Sequence, residues 1–77
     1  MNNSIHPISP GNPWPRHYLI DILHTGLLAK AYRFVRQAAL AWLTHYESDL
    51  YVRFLRAKAL VGEGKTNQAK AILEQIC

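Results

Sequence analysis

Residues 50–77 read LYVRFLRAKALVGEGKTNQAKAILEQIC, a stretch that encodes two helices and the turn between them. From Leu50 to about Glu63 apolar residues recur at steps of three and four, the spacing of a helix. They do so twice: Leu50, Phe54, Ala57 and Val61 form one stripe, and Val52, Leu55 and Ala59 form another. Two stripes predict two neighbours, because each has to be covered by another element. Ser48 or Asp49, in the polar break Glu47-Ser48-Asp49, supplies a side-chain oxygen to cap the first free N–H groups of this helix. Gly62-Glu63-Gly64-Lys65 ends it, since glycine enters the left-handed backbone of a helix terminus without a Cβ penalty. Thr66 or Asn67 opens a further helix carrying Ala69, Ile72, Leu73 and Ile76.

Upstream the helical period continues. A helix from Pro15 to about Thr25 sets Tyr18, Leu19, Ile22 and Leu23 on one side and His17, Asp21 and His24 on the other. Gly26 reads as an interruption. A second helix, about Leu27 to Tyr46, then carries Leu28, Ala31, Val35, Ala38, Trp42 and His45 or Tyr46 along one line. Leu27, Phe34, Ala39 and Leu43 widen its apolar arc, and Lys30, Arg33 and Gln37 lie opposite with Arg36 at the margin. No segment shows the strict alternation of a half-buried strand. The expected fold is all-α: four helices with short connections, hence two antiparallel helix-turn-helix pairs. Self-comparison adds a repeat. Gly26 stands five positions before Ala31, and Gly64 stands five before Ala69. The register that sets Gly26 on Gly64 also sets Ile22 on Leu60, Val35 on Leu73 and Ala38 on Ile76. A generic four-helix bundle would account for the same glycines and alanines, but a bundle helix normally needs only one apolar stripe.

Residues 50–77 resemble a tetratricopeptide repeat, an antiparallel helix pair of about 34 residues. In that match Ala57 takes the small position of the first helix, Leu60 its large apolar position and Gly64 the turn; Ala69 and Leu73 take the small and large positions of the second helix. Arg53 and Arg56 depart from the pattern, which usually has an aromatic residue or Leu there, and Ile76 stands where Ala is usual. Ile22, Gly26, Ala31 and Ala38 extend the resemblance to a first unit starting near Pro15. Pro15 and Leu19 do not fit, and the glycine register exceeds the family period by about one helical turn. The resemblance implies a TPR-like right-handed stack that binds another protein in a concave groove lined by the first helix of each pair. Carried onto this chain, the groove residues are Tyr51, Phe54, Lys58 and Val61. Aromatic rings supply contact area at low entropic cost, and the lysine would select for an acidic side chain or terminal carboxylate. Stacked repeats usually number three or more, with a polar outer face on the last helix. Here the last helix offers Ile72, Leu73 and Ile76, so the resemblance implies either the N-terminal part of a longer array or a homodimer closed through those three residues.

Composition narrows the function classes. A chain of 77 residues makes one small domain that buries only about 60% of its unfolded surface, so large catalytic sheets are excluded and a second stabilising device is expected. With 49% hydrophobic and 18% charged residues it is too apolar for a disordered protein. Residues 1–14, with Pro7, Pro10 and Pro13 among Asn, Ser and Gly, are expected to form a flexible or polyproline-like arm in which Trp14 serves as an anchor, leaving 15–77 as the helical domain. The single cysteine, Cys77, forms no internal disulfide, which fits a reducing compartment. The first fifteen residues lack the pattern of a secretory signal, and no apolar run reaches the roughly 20 residues that cross a bilayer. The expectation is a soluble, cytoplasmic protein without membrane contact.

Catalysis and cofactor binding find little support in these residues. His17, Asp21 and His24 share a helical face, but the two imidazoles would stand roughly 10 Å apart along the axis, too far to close on one metal ion. The five acidic residues are dispersed, Ser48 reads as a cap, and Gly62-Glu63-Gly64-Lys65-Thr66 lacks the spacing of a phosphate loop. No catalytic residue, metal or cofactor is expected. The net charge of +4, from nine Lys and Arg against five Asp and Glu, is modest and spread over two helices, where Lys30, Arg33, Arg36, Arg53 and Arg56 form a basic rim with Lys58 beside it. Such residues read first as a solvated surface whose alkyl stems cover apolar neighbours, and the sharper reading is a rim for an acidic protein partner. The alternative is a small basic helical nucleic-acid-binding regulator of the helix-turn-helix type, in which Gly64 is followed by Lys65, Thr66, Asn67, Gln68 and Lys70.

Overall fold

A computed structural model describes residues 15–76, which form four helices: α1 (Arg16–Leu28), α2 (Tyr32–Leu43), α3 (Leu50–Gly62) and α4 (Thr66–Ile76). The described residues contain no strand, and the chain is all-α, two helix pairs joined by short turns. The expected arm of residues 1–14, with Trp14, and the terminal Cys77 lie outside the described residues.

Helix α3 starts where its cap demands. Asp49, in extended backbone, accepts a hydrogen bond from the Val52 amide at 3.3 Å and so satisfies one of the free donors of the first turn. Its far end closes with two crossing bonds, from the Gly64 N–H to the Val61 carbonyl at 3.0 Å and from the Lys65 N–H to the Leu60 carbonyl at 2.8 Å. This is a Schellman closure, and it places Gly64 at φ +82°, where a Cβ is penalised.

Helix α1 differs from expectation. Gly26 does not interrupt it; the helix runs on to Leu28, and α2 begins only at Tyr32. Gly26 is buried inside the last turn, where a Cβ would lie 2.5 Å from Cγ2 of Val35, so the glycine lets α2 approach closely. The reversal follows through the same Schellman closure, with the Lys30 N–H bonded to the Leu27 carbonyl at 3.1 Å and the Ala31 N–H to the Gly26 carbonyl at 2.8 Å. Lys30, at φ 59°, occupies the left-handed position that Gly64 takes in the second pair. One register therefore relates the two pairs: it sets Lys30 on Gly64 at the closures, and Arg16 on Leu50 and Tyr32 on Thr66 at the helix starts. It replaces the register that set Gly26 on Gly64, because a helix end is defined by its closing hydrogen bonds and not by the nearest glycine.

The core is built from two clusters. The larger joins Leu19 and Leu23 of α1 and Val35, Ala39, Trp42 and Leu43 of α2 to Val52, Leu55 and Ala59 of α3. The smaller joins Ala57 and Leu60 of α3 to Ala69 of α4, with Ile72 and Leu73 packed against it. The stripe Val52, Leu55, Ala59 is thus wholly covered. Of the other stripe only Ala57 is buried, while Leu50, Phe54 and Val61 face outward. On α1, Tyr18 is exposed and Ile22 half-buried, and Leu28, placed in the apolar line of α2 by its period, is 87% exposed because it belongs to the end of α1.

Candidate functional site

Burial leaves α3 with one free side, and the expected groove residues stand on it. Tyr51, Phe54, Lys58 and Val61 follow the i, i+3, i+7, i+10 spacing of one helical face, and all four are exposed. The Tyr51 and Phe54 rings lie 6.2 Å apart at an interplanar angle of 33°, and Nζ of Lys58 sits 5.5 Å from the centroid of Phe54. A cation over a ring at this range is favourable by roughly 0.5–1 kcal/mol at an exposed site, enough to bias where the ammonium is presented. The described residues contain two ion pairs, Arg16–Asp49 and Arg36–Glu63, and Lys58 belongs to neither.

Helix α1 contributes a residue whose sequence context suggests only a plain polar face. Nε2 of His24 and the hydroxyl of Tyr51 are hydrogen-bonded at 2.7 Å, and their rings meet edge to face with centroids 5.9 Å apart. A signal for this role lies in the register of the two closures, which sets His24 on Lys58. The glycine register hides that equivalence. The surface therefore offers, in sequence across two helices, an imidazole, a phenol, a phenyl ring and an ammonium.

The other predicted residues are dispersed. Arg36 is half-buried and pairs with Glu63, its Nε 2.5 Å from Oε1. Arg36, by hydrogen bond above all and then by charge, holds the Glu63 carboxyl below its usual value, with Lys65 and Arg33 adding smaller effects. Arg53 and Arg56 are also half-buried, and Nε of Arg56 is enclosed without a hydrogen-bond partner among the described residues. The basic rim is thus divided among Lys30 in an exposed turn, Arg33 exposed on α2, Arg36 neutralised in an ion pair, and the partly covered Arg53 and Arg56. Ile72, Leu73 and Ile76 are all half-buried, the first two packed on the smaller cluster. His17 lies beside Tyr18, the ring centroids 5.8 Å apart, and among the described residues no three His, Cys, Asp or Glu side chains are grouped so as to hold a metal ion.

The concavities among the described residues include two of different character. One, lined by Arg16, Trp42, Tyr46, Ser48 and Asp49, has its chemistry committed to the fold. Asp49 accepts from Nε of Arg16 at 2.8 Å and from Nε1 of Trp42 at 3.0 Å besides capping α3, and the Arg16 bond leads in holding its carboxyl below the usual range. The other is a shallow open groove of about 390 Å³ lined by Val61, Thr66, Ala69, Lys70, Leu73 and Glu74. No family model, no curated protein and no solved structure matches this chain. Among the described residues no helix is long and apolar enough to cross a membrane.

Proposed function

We propose that this chain is a tetratricopeptide-like, non-enzymatic interaction module of the cytoplasm that binds an acidic peptide segment across α1 and α3. The observation that carries the reading is the exposed row of His24, Tyr51, Phe54 and Lys58, with Val61 at its end. Large rings left outward by a small domain are an interaction surface in the making, and an ammonium at their edge, outside both ion pairs, favours a carboxylate. The register that carries Arg16 onto Leu50 and Tyr32 onto Thr66 supports the repeat assignment, since it equals the tetratricopeptide period of about 34 residues.

Fluorescence anisotropy with a panel of peptides bearing acidic C-termini tests the reading, with a DNA duplex as the competing ligand. Binding of at least one acidic peptide is expected, weakened about tenfold or more by combining Tyr51→Ala, Phe54→Ala and Lys58→Ala, while helicity by circular dichroism is retained. Peptide binding that ignores the triple substitution refutes the groove. Tight DNA binding whose affinity falls steeply with salt and is unaffected by the triple substitution favours the nucleic-acid reading instead.

A further inference from the structure

The two ends of the helical stack are chemically unlike. Helix α3 covers α2 with Val52, Leu55 and Ala59, all buried. The register of the two pairs sets these residues on Tyr18, Asp21 and Thr25 of α1, all exposed. The front of the stack is therefore finished with a carboxylate and a hydroxyl where α3 buries a leucine and an alanine. The back is different. The surface of α2 that receives α3 includes Tyr32, Val35, Arg36 and Ala39, and the same register sets them on Thr66, Ala69, Lys70 and Leu73. All four line the open groove on α4, bordered by Val61, which is 51% exposed. The groove is the image of an interface that the chain already uses once.

Its charges identify the occupant. Lys70 and Glu74 stand at i and i+4 on the same flank of Leu73, and neither takes part in an ion pair among the described residues. Lysine preceding glutamate is the less favourable order within one helix, and it also sets the cation nearer the N-terminus and the anion nearer the C-terminus, against the helix dipole. In a second α4 running antiparallel about a two-fold axis level with Ile72, midway between positions 70 and 74, each lysine faces the other copy's glutamate. The two copies of Leu73 then meet near the axis. Head-to-tail stacking would instead press this groove against Asp21 and Thr25, burying a carboxylate and a hydroxyl where α3 brings a leucine and an alanine to α2.

We propose that the α4 groove is the site at which a second copy of this chain docks, giving a two-fold dimer held by Leu73 and by paired Lys70–Glu74 contacts. A closed two-fold contact also limits assembly at two copies. This contact shares only Val61 with the peptide surface on α1 and α3, and Lys70, Leu73 and Glu74 lie outside that surface.

Sedimentation equilibrium of the 77-residue chain under reducing conditions tests it, with Lys70→Glu and Glu74→Lys as probes. Both residues are exposed, so the variants keep their fold, which circular dichroism verifies. The unaltered chain is expected to dimerise at micromolar to high micromolar concentration, and each single variant to weaken the dimer about tenfold or more through two like-charge contacts. An equimolar mixture of the two single variants is expected to form a heterodimer, and the doubly exchanged chain to dimerise again. A monomer at every concentration, a dimer indifferent to both substitutions, a mixture no more associated than its parts, or mass growing beyond two copies would each overturn the proposal.

Discussion

Replacing Asp49 with alanine removes three interactions at one stroke. The carboxylate caps α3 through the Val52 amide at 3.3 Å, accepts from the Trp42 indole at 3.0 Å and pairs with Arg16 at 2.8 and 3.1 Å. Loss of an N-cap costs about 1 kcal/mol. The indole N–H, left in a mostly buried side chain, adds about 1 kcal/mol for an unsatisfied donor. The Arg16 pair contributes a few tenths, because that arginine is half exposed and water screens it. Together Asp49→Ala should cost about 2 kcal/mol, roughly 10 °C in Tm for a domain of this size. Asn caps as well as Asp and still offers the indole an acceptor, so Asp49→Asn should lose well under half as much. Urea unfolding followed by circular dichroism measures both. The carboxyl is held below its usual value in the folded chain, so its contribution is present above the unfolded carboxyl pKa and is lost as pH falls through the folded value. Below about pH 4 the wild type should therefore converge on the Asp49→Asn variant. A cost within about 0.5 kcal/mol of zero for alanine, or equal costs for alanine and asparagine, would refute the reasoning.

Four further substitutions probe the fold. Gly26→Ala gains helix propensity but puts a Cβ 2.5 Å from buried Val35, so a net loss of about 1–2 kcal/mol is expected in the same unfolding assay; a gain would mean that α2 has room to move away. Lys30→Gly relieves a left-handed residue at the α1 closure and should stabilise by roughly 0.5–1 kcal/mol, whereas Gly64→Ala at the equivalent place should destabilise by about as much. Arg56→Met keeps the apolar stem and removes an enclosed N–H without a partner, and a rise in stability of about 1 kcal/mol, seen as a higher urea midpoint, is the expected result.

Much of the architecture is legible in the chain because it depends on near neighbours. The stripe Val52, Leu55, Ala59, the cap at Asp49 and the turn at Gly64 each follow from residues within a few positions of one another, and each stands where its local chemistry puts it. The exposed row Tyr51, Phe54, Lys58 and Val61 is equally a matter of spacing along one helix. What depended on tertiary contact was different in kind. Gly26 and Gly64 look alike in the sequence, yet one serves a close approach to Val35 and the other a left-handed turn, and only the position of α2 separates them. Lys30 shows no sign in its side chain of standing at φ 59°; the closing bonds of α1 impose it. The bond between His24 and Tyr51 joins positions 27 apart, and it exists because α3 lies beside α1. Periodicity states that a face is apolar or polar, since burial follows the helical repeat. Which helix covers that face, and which outward side chains then meet, is decided by packing between elements that the local sequence does not encode.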